Sequence, residues 1–193
     1  MFLFRKTILF IVLFAMLLTA CGSKQIENPV NWPVREFTAT NQDGKPFSTQ
    51  ELKGKIWLAD FIFTNCTTVC SPMTARLASI QDMLKEKGFD VSIVSFSVDP
   101  TRDTPEVLKE FAQRFDADLS SWDFLTGYTP EEIKKYSVET FKSAVTEDPS
   151  TGQFGHGTSF FLVDQSGTIV KLYGSLDQDT EQKLLQDIEI LAD

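Results

Sequence analysis

Cys66 and Cys70 lie within Thr64-Asn65-Cys66-Thr67-Thr68-Val69-Cys70-Ser71-Pro72, and the chain's only histidine stands far downstream in Phe154-Gly155-His156-Gly157-Thr158-Ser159. A thiolate is a nucleophile, a redox centre and a soft metal donor. A disulfide between residues so close would close a very small loop and add little stability, so the pair suits redox or metal chemistry better than stapling. On a helix, residues four apart share a face with Cβ atoms roughly 5–6 Å apart, close enough for both sulfurs to hold one ion or, after adjustment, to join. Pro72 disfavours helical geometry at Ser71, which leaves a tight loop as the other arrangement. Helix N-terminal amides nearby would favour the thiolate. A lone histidine is usually an ordinary surface or core residue. His156 differs in its flanking glycines and in lying directly before a strand candidate.

The elements that must position these groups are legible from periodicity. Lys55–Phe63 (KIWLADFIF) is a nearly unbroken apolar run, as in a central buried strand. The cysteine segment therefore lies at a strand's carboxyl end, where α/β sheets build their sites. Asp60 interrupts the run, either as a hydrogen-bonded core carboxylate or as a group facing the site. Pro72–Lys87 has helical spacing, with Met73, Leu77, Ile80 and Leu84 on one stripe and Gly88 as a stop. Met73 and Met83 read as packing residues rather than thioether ligands. Val91–Val98 alternates as a second strand. Thr104 caps a helix whose first residue is Pro105 and whose stripe is Val107, Leu108, Phe111 and Phe115. Trp122–Leu125 reads as a short strand and Pro130–Val138 as a helix. Ser159–Val163 and Thr168–Tyr173 pair across Asp164-Gln165-Ser166-Gly167, and Asp179–Ala192 closes the chain as an amphipathic helix. Near the start, Glu36–Thr40 and Lys45–Thr49 flank Asn41-Gln42-Asp43-Gly44 as a β-hairpin. Glu147–Gly155 (EDPSTGQFG) reads as a mobile loop. The order predicts an α/β fold: a mixed central sheet flanked by helices, with an N-terminal β-hairpin.

The chain's 193 residues, 42% hydrophobic with 17 Phe, suit one domain with large buried clusters. Eighteen basic residues against 27 acidic give a net charge of −9, which argues against nucleic acid. Arg5 and Lys6, the apolar Thr7–Leu18 and the small Thr19 and Ala20 form a secretory signal over residues 1–20. Leu18-Thr19-Ala20-Cys21 resembles a bacterial lipobox, which makes Cys21 the acylated residue and places the domain outside the cytoplasm as a membrane-anchored lipoprotein. The alternative is an uncleaved anchor. Cutting before Cys21 leaves 16 basic residues against 27 acidic, a net charge of −11. It also explains the odd count of three cysteines, since lipid on one leaves a single pair. Residues 21–35, polar and holding Pro29 and Pro33, read as lipid anchor and linker, and 36–193 as the domain.

The cysteine segment, the later Ser97-Val98-Asp99-Pro100-Thr101-Arg102-Asp103-Thr104-Pro105, and His156 shortly before an apolar strand together resemble the Sco/SenC family over nearly the whole chain from Glu36. The resemblance implies a thioredoxin fold held at a membrane, with copper bound by Cys66, Cys70 and His156. It implies a role in assembling the dinuclear copper centre of cytochrome c oxidase. The copper-bearing oxidase subunit would be the partner, with another copper chaperone or a thiol–disulfide oxidoreductase as a further one. Ser71 stands where many relatives place proline directly after the cysteine. Two thiolates suit Cu(I) and an imidazole suits either copper state, whereas structural zinc normally takes a fourth protein ligand. Asp99 serves either as a carboxylate behind the ligands or as a turn former before Pro100.

Rival functions use the same residues. A tethered thiol–disulfide reductase would use Cys66 and Cys70 and dispense with His156, although such enzymes usually carry Cys-x-x-Cys. A redox or copper sensor fits equally. A peroxiredoxin-type peroxidase fits poorly, because Ala59 and Phe63 stand where its motif needs Pro and Thr or Ser.

Overall fold

The computed structural model describes residues 25–193. The expected signal segment 1–20, Cys21 and the first residues of the expected linker lie outside that range. Among the described residues ten strands run in chain order: β1 (Trp32–Pro33), β2 (Thr38–Asn41), β3 (Pro46–Ser48), β4 (Ile56–Ile62), β5 (Val91–Ser97), β6 (Trp122–Thr126), β7 (Thr146–Asp148), β8 (Gln153–Gly155), β9 (Ser159–Val163) and β10 (Thr168–Gly174). The helices are α1 (Cys70–Glu86), α2 (Pro105–Gln113), α3 (Pro130–Phe141) and α4 (Thr180–Ala192). Among the described residues, no helix is long and apolar enough to cross a membrane.

Eight strands form one mixed sheet in the order β1-β10-β9-β4-β5-β6-β2-β3. β4, β5 and β6 are parallel, joined by helical crossovers, and the remaining pairs are antiparallel. The hairpin expected near the start is β2–β3, with Gly44 at φ +72 in its turn. Alternation along β4 divides the core. Ile56, Leu58 and Ile62 face α1, whose Met73, Leu77, Ile80 and Leu84 are buried as the stripe requires, together with Leu108 and Phe111 of α2 and Leu184 and Ile188 of α4. Trp57, Ala59, Phe61 and Phe63 face the other side, against Ile133, Tyr136 and Phe141 of α3. Phe61, Phe96, Phe141 and Phe161 meet there edge to face or tilted. Each such side chain removed from water contributes about 1.5–3 kcal/mol, so this double core accounts for the sheet's persistence.

Three segments differ from their sequence reading. The proline-bearing stretch before residue 36 supplies an edge strand, with Trp32 opposite Ile169 and Pro33 opposite Thr168. Proline is tolerated at a sheet edge. The helix expected from Pro72 begins at Cys70, where the N–H missing at Pro72 is one the first turn leaves unbonded in any case. Glu147–Gly155, read as a mobile loop, holds most of the β7–β8 hairpin, a two-stranded sheet of its own.

The topology brings distant residues to one place. β9 runs antiparallel to β4, with Ala59 opposite Phe161 and Trp57 opposite Val163. The start of β9 therefore lies beside the end of β4. His156, just before β9, comes to the same edge of the sheet as the cysteine loop that follows β4.

Candidate metal centre

Cys70 is the first residue of α1 and is fully buried, while Cys66 sits half-buried in the loop before it. Neither is in a disulfide. The Cys70 backbone N–H points at Cys66 Sγ at 3.4 Å, so the helix start presents an amide to the sulfur. Burial pushes the Cys66 thiol up, but hydrogen bonds from the Cys70 thiol, the Thr68 and Cys70 backbone and the Thr68 hydroxyl outweigh it and hold the group below its ordinary value. Cys70 shifts the other way. Burial drives its thiol well above the ordinary range, and the hydrogen bond to Cys66 and the charges of Cys66 and Asp60 push in the same direction. The pair is thus divided into a thiol whose proton is loosened and one whose proton is held.

His156 Nε2 lies 3.6 Å from Cys70 Sγ. On the other side of the ring, Nδ1 is 2.9 Å from the Gly157 carbonyl. A carbonyl only accepts, so Nδ1 carries the proton and the Nε2 lone pair faces the sulfur. Burial holds the imidazole below its ordinary pKa, which keeps it neutral and able to ligate. Phe63 meets the ring edge to face at 5.9 Å and walls the site on the core side. Gly157 is needed for close approach, because a Cβ there would stand 2.6 Å from Ser143 Oγ, whose hydroxyl accepts from the Gly157 N–H.

The three donors sit in one neighbourhood but not yet around one point. Among the described residues, no three His, Cys, Asp or Glu side chains are already gathered as a metal cage. Cys70 faces both the Cys66 thiol and His156 Nε2, and Cys66 faces the Cys70 amide and Thr68 Oγ1 as well, the latter at 3.7 Å.

Asp99 shares no hydrogen bond with Cys66, Cys70 or His156. Its carbonyl accepts from the N–H groups of Arg102 and Asp103, and Oδ2 pairs with Arg102 Nε at 3.2 Å, so it forms a turn and holds an arginine. Asp60 is fully buried on the α1 side of β4, opposite Ser95 of β5. Neither carboxyl oxygen has a hydrogen bond of ordinary geometry. Burial raises its pKa to about 7, offset slightly by the Ser95 hydroxyl, and its charge is felt at Cys70.

Sequence reasoning missed two residues that hold the site. Asp103, fully buried, accepts from Thr64 Oγ1 at 2.6 Å, from Thr64 N at 3.2 Å and from Ser97 Oγ at 2.5 Å, tying the root of the cysteine loop to the segment after β5. It lies inside the Val98-to-Pro105 motif, which was the available signal. Gln153 spans from β8 to the cysteine loop, and nothing in the local sequence marks it.

A strand–loop–helix thiol pair on a mixed sheet of this topology defines a thioredoxin-like protein with an added imidazole. The SCO1/SenC family pattern matches residues 28–193, and the chain belongs to that family. It is 50% identical to a SCO1/SenC family lipoprotein from Bacillus anthracis str. Ames, with a TM-score of 0.85 over 88% of this chain and 100% of that one. It is 43% identical to BsSco, a member of the Sco family of cytochrome c oxidase assembly proteins in which a disulfide switch has been identified, with a TM-score of 0.81 over 88% of this chain and 98% of that one. Copper-bound ScoI of Arabidopsis thaliana is 28% identical, with a TM-score of 0.70 over 82% of this chain and 97% of that one.

Proposed function

We propose that this protein is a copper metallochaperone that holds one copper ion between Cys66, Cys70 and His156. It delivers that ion to the dinuclear copper site of cytochrome c oxidase during assembly. The observation that carries the reading is the approach of His156 Nε2 to Cys70 Sγ at 3.6 Å, with Nδ1 tied to Gly157 so that the lone pair faces the sulfur. A bare thiol–disulfide pair has no use for such a ring. The copper-bound relative and the oxidase-assembly relative support the metal and the destination.

The donor set fits the cargo. Two thiolates are soft donors and an imidazole serves both copper states. Three ligands leave coordination open, so an acceptor's ligands can enter before these leave. Loading requires loss of the thiol protons, which Cys66 gives up readily and Cys70 resists. Metal arriving at Cys66 first, then displacing the Cys70 proton, follows from that asymmetry. Oxidation of the pair to a disulfide, with two electrons passing to an oxidant, would remove both sulfur donors. Lipid on Cys21 would tether the domain outside the cytoplasm, close to a membrane-bound acceptor; the lipoprotein relative supports that anchor.

A second reading is favoured by the same thiol asymmetry: a tethered reductase keeping the oxidase's copper-site cysteines reduced. The Cys66 thiolate would attack a partner disulfide and release one thiol. The Cys70 sulfur would then displace the second thiol as Cys66–Cys70 closes, leaving the partner with both electrons. Copper titration of the reduced protein separates the two. The chaperone reading expects one copper per chain, a sulfur-to-copper charge-transfer band in the Cu(II) form, and both lost in Cys66→Ser/Cys70→Ser. His156→Ala should weaken Cu(II) more than Cu(I), because two thiolates alone can hold Cu(I), and should spare disulfide exchange. Copper binding by the double serine variant as tight as the parent's would refute the site.

A further inference from the structure

Gln153 grips the chain on both sides of Cys66. Its Nε2 donates to the Asn65 carbonyl at 3.1 Å, and its Oε1 accepts from Thr67 N at 3.4 Å and from Thr67 Oγ1 at 3.3 Å. The backbone of Gln153 belongs to β8, which ends at Gly155, one residue before His156. One amide therefore links the loop of one proposed ligand to the strand leading to another.

The hairpin carrying Gln153 needs such a link. β7 and β8 pair only with each other in a two-stranded sheet, an arrangement marginal in water without further contacts. A second grip lies next to the first. Arg102 Nη1 donates to the Gly152 carbonyl at 3.3 Å, while its Nε pairs with Asp99. Asp99 is only 1% exposed and its own N–H donates to Ser97 Oγ at 3.0 Å, so the arginine is anchored from the main sheet. Gly152 has φ +65, and a Cβ there would stand 2.7 Å from Arg102 Nη2. The hairpin tip thus closes directly on the guanidinium.

We propose that Gln153 is a positioning residue that holds the cysteine loop against the strand leading to His156, and so sets how the ring meets the sulfurs, with Arg102 holding the hairpin tip in register. The proposal rests on the three-ligand reading above but concerns geometry present before any metal arrives. Glutamine suits the task because it donates to Asn65 and accepts from Thr67 with one planar group. Glutamate would keep the acceptor, lose the donor and set a negative charge against the Asn65 carbonyl.

The test compares the parent with Gln153→Ala, Gln153→Glu and Arg102→Ala in the full-length reduced protein. His156 is the only histidine, so its two carbon-bound ring protons are assigned without ambiguity by NMR. In the metal-free parent that ring should show cross-relaxation to the Cys70 side chain. Gln153→Ala should weaken or lose it, lower Cu(II) affinity about tenfold, as loss of a ligand-orienting contact typically does, and shift the charge-transfer band. Gln153→Glu and Arg102→Ala should act in the same direction. A Gln153→Ala protein with the parent's ring contacts, affinity and band overturns the proposal. If the parent binds no copper yet its ring contact still depends on Gln153, the copper reading fails and the positioning role stands. Unchanged ring contact removes the role whatever copper does. Should Gln153→Ala melt well below the parent, Gln153→Glu, of equal length, decides by the same readouts.

Discussion

Asp103 receives the hydroxyl of Thr64 at 2.6 Å across 39 residues of sequence, and through it the loop that carries Cys66 is fastened to the turn after β5. Burial raises the Asp103 pKa, and the hydrogen bonds from Ser97 and Thr64 restrain that rise. Asp103→Ala would strand the Thr64 N–H and the Ser97 hydroxyl in a poorly solvated place. The expected cost is on the order of 3 kcal/mol, read as a lowered urea midpoint with unchanged slope. A variant as stable as the parent would show that the network contributes little.

Asp60 makes stability depend on pH in the less usual sense for a carboxylate. Its folded pKa is raised from 3.8 to about 7 by burial, so between those values the folded state keeps a proton that the unfolded chain releases. Its contribution is therefore fully present below pH 3.8 and is lost as pH rises through about 7, by roughly 4 kcal/mol across the window. The difference in unfolding free energy between Asp60→Asn and the parent, followed from pH 4 to pH 8, should shift steadily in the variant's favour. A difference independent of pH would mean the carboxylate is ionised in the fold throughout.

The two thiols should react unequally. Cys66 is half-exposed with its pKa held down, whereas Cys70 is buried with its pKa driven up. Iodoacetamide at pH 7.5 should label Cys66 first and Cys70 at least tenfold more slowly, because only the thiolate attacks. Peptide mass spectrometry over time measures the ratio, and equal rates would contradict the asymmetry.

The pattern of legibility follows the range of the interactions. β4 and α1 were visible because burial on both faces imposes a nearly unbroken apolar run on one, and burial on one face imposes a Met73–Leu77–Ile80–Leu84 stripe on the other. Cys66 and Cys70 announced themselves by type and spacing, while His156 depended on the resemblance, since only the antiparallel pairing of β9 with β4 carries it to the cysteines. The β7–β8 hairpin left no apolar signature because Thr146, Glu147 and Asp148 are all exposed. The start of α1 was misplaced by reading Pro72 as a breaker, although the first turn accepts proline. Asp103 reaches Thr64 across 39 residues and Gln153 reaches Asn65 across 88, and no periodicity encodes such a contact.

The convergence of Cys66, Cys70 and His156 on one ion is tested most directly by X-ray absorption at the copper edge on the reduced, copper-loaded protein, beside His156→Ala. Two sulfur scatterers and one imidazole are expected around each Cu(II), with the imidazole signal absent from the variant. A single sulfur, or an imidazole signal that survives the loss of the only histidine, would contradict it.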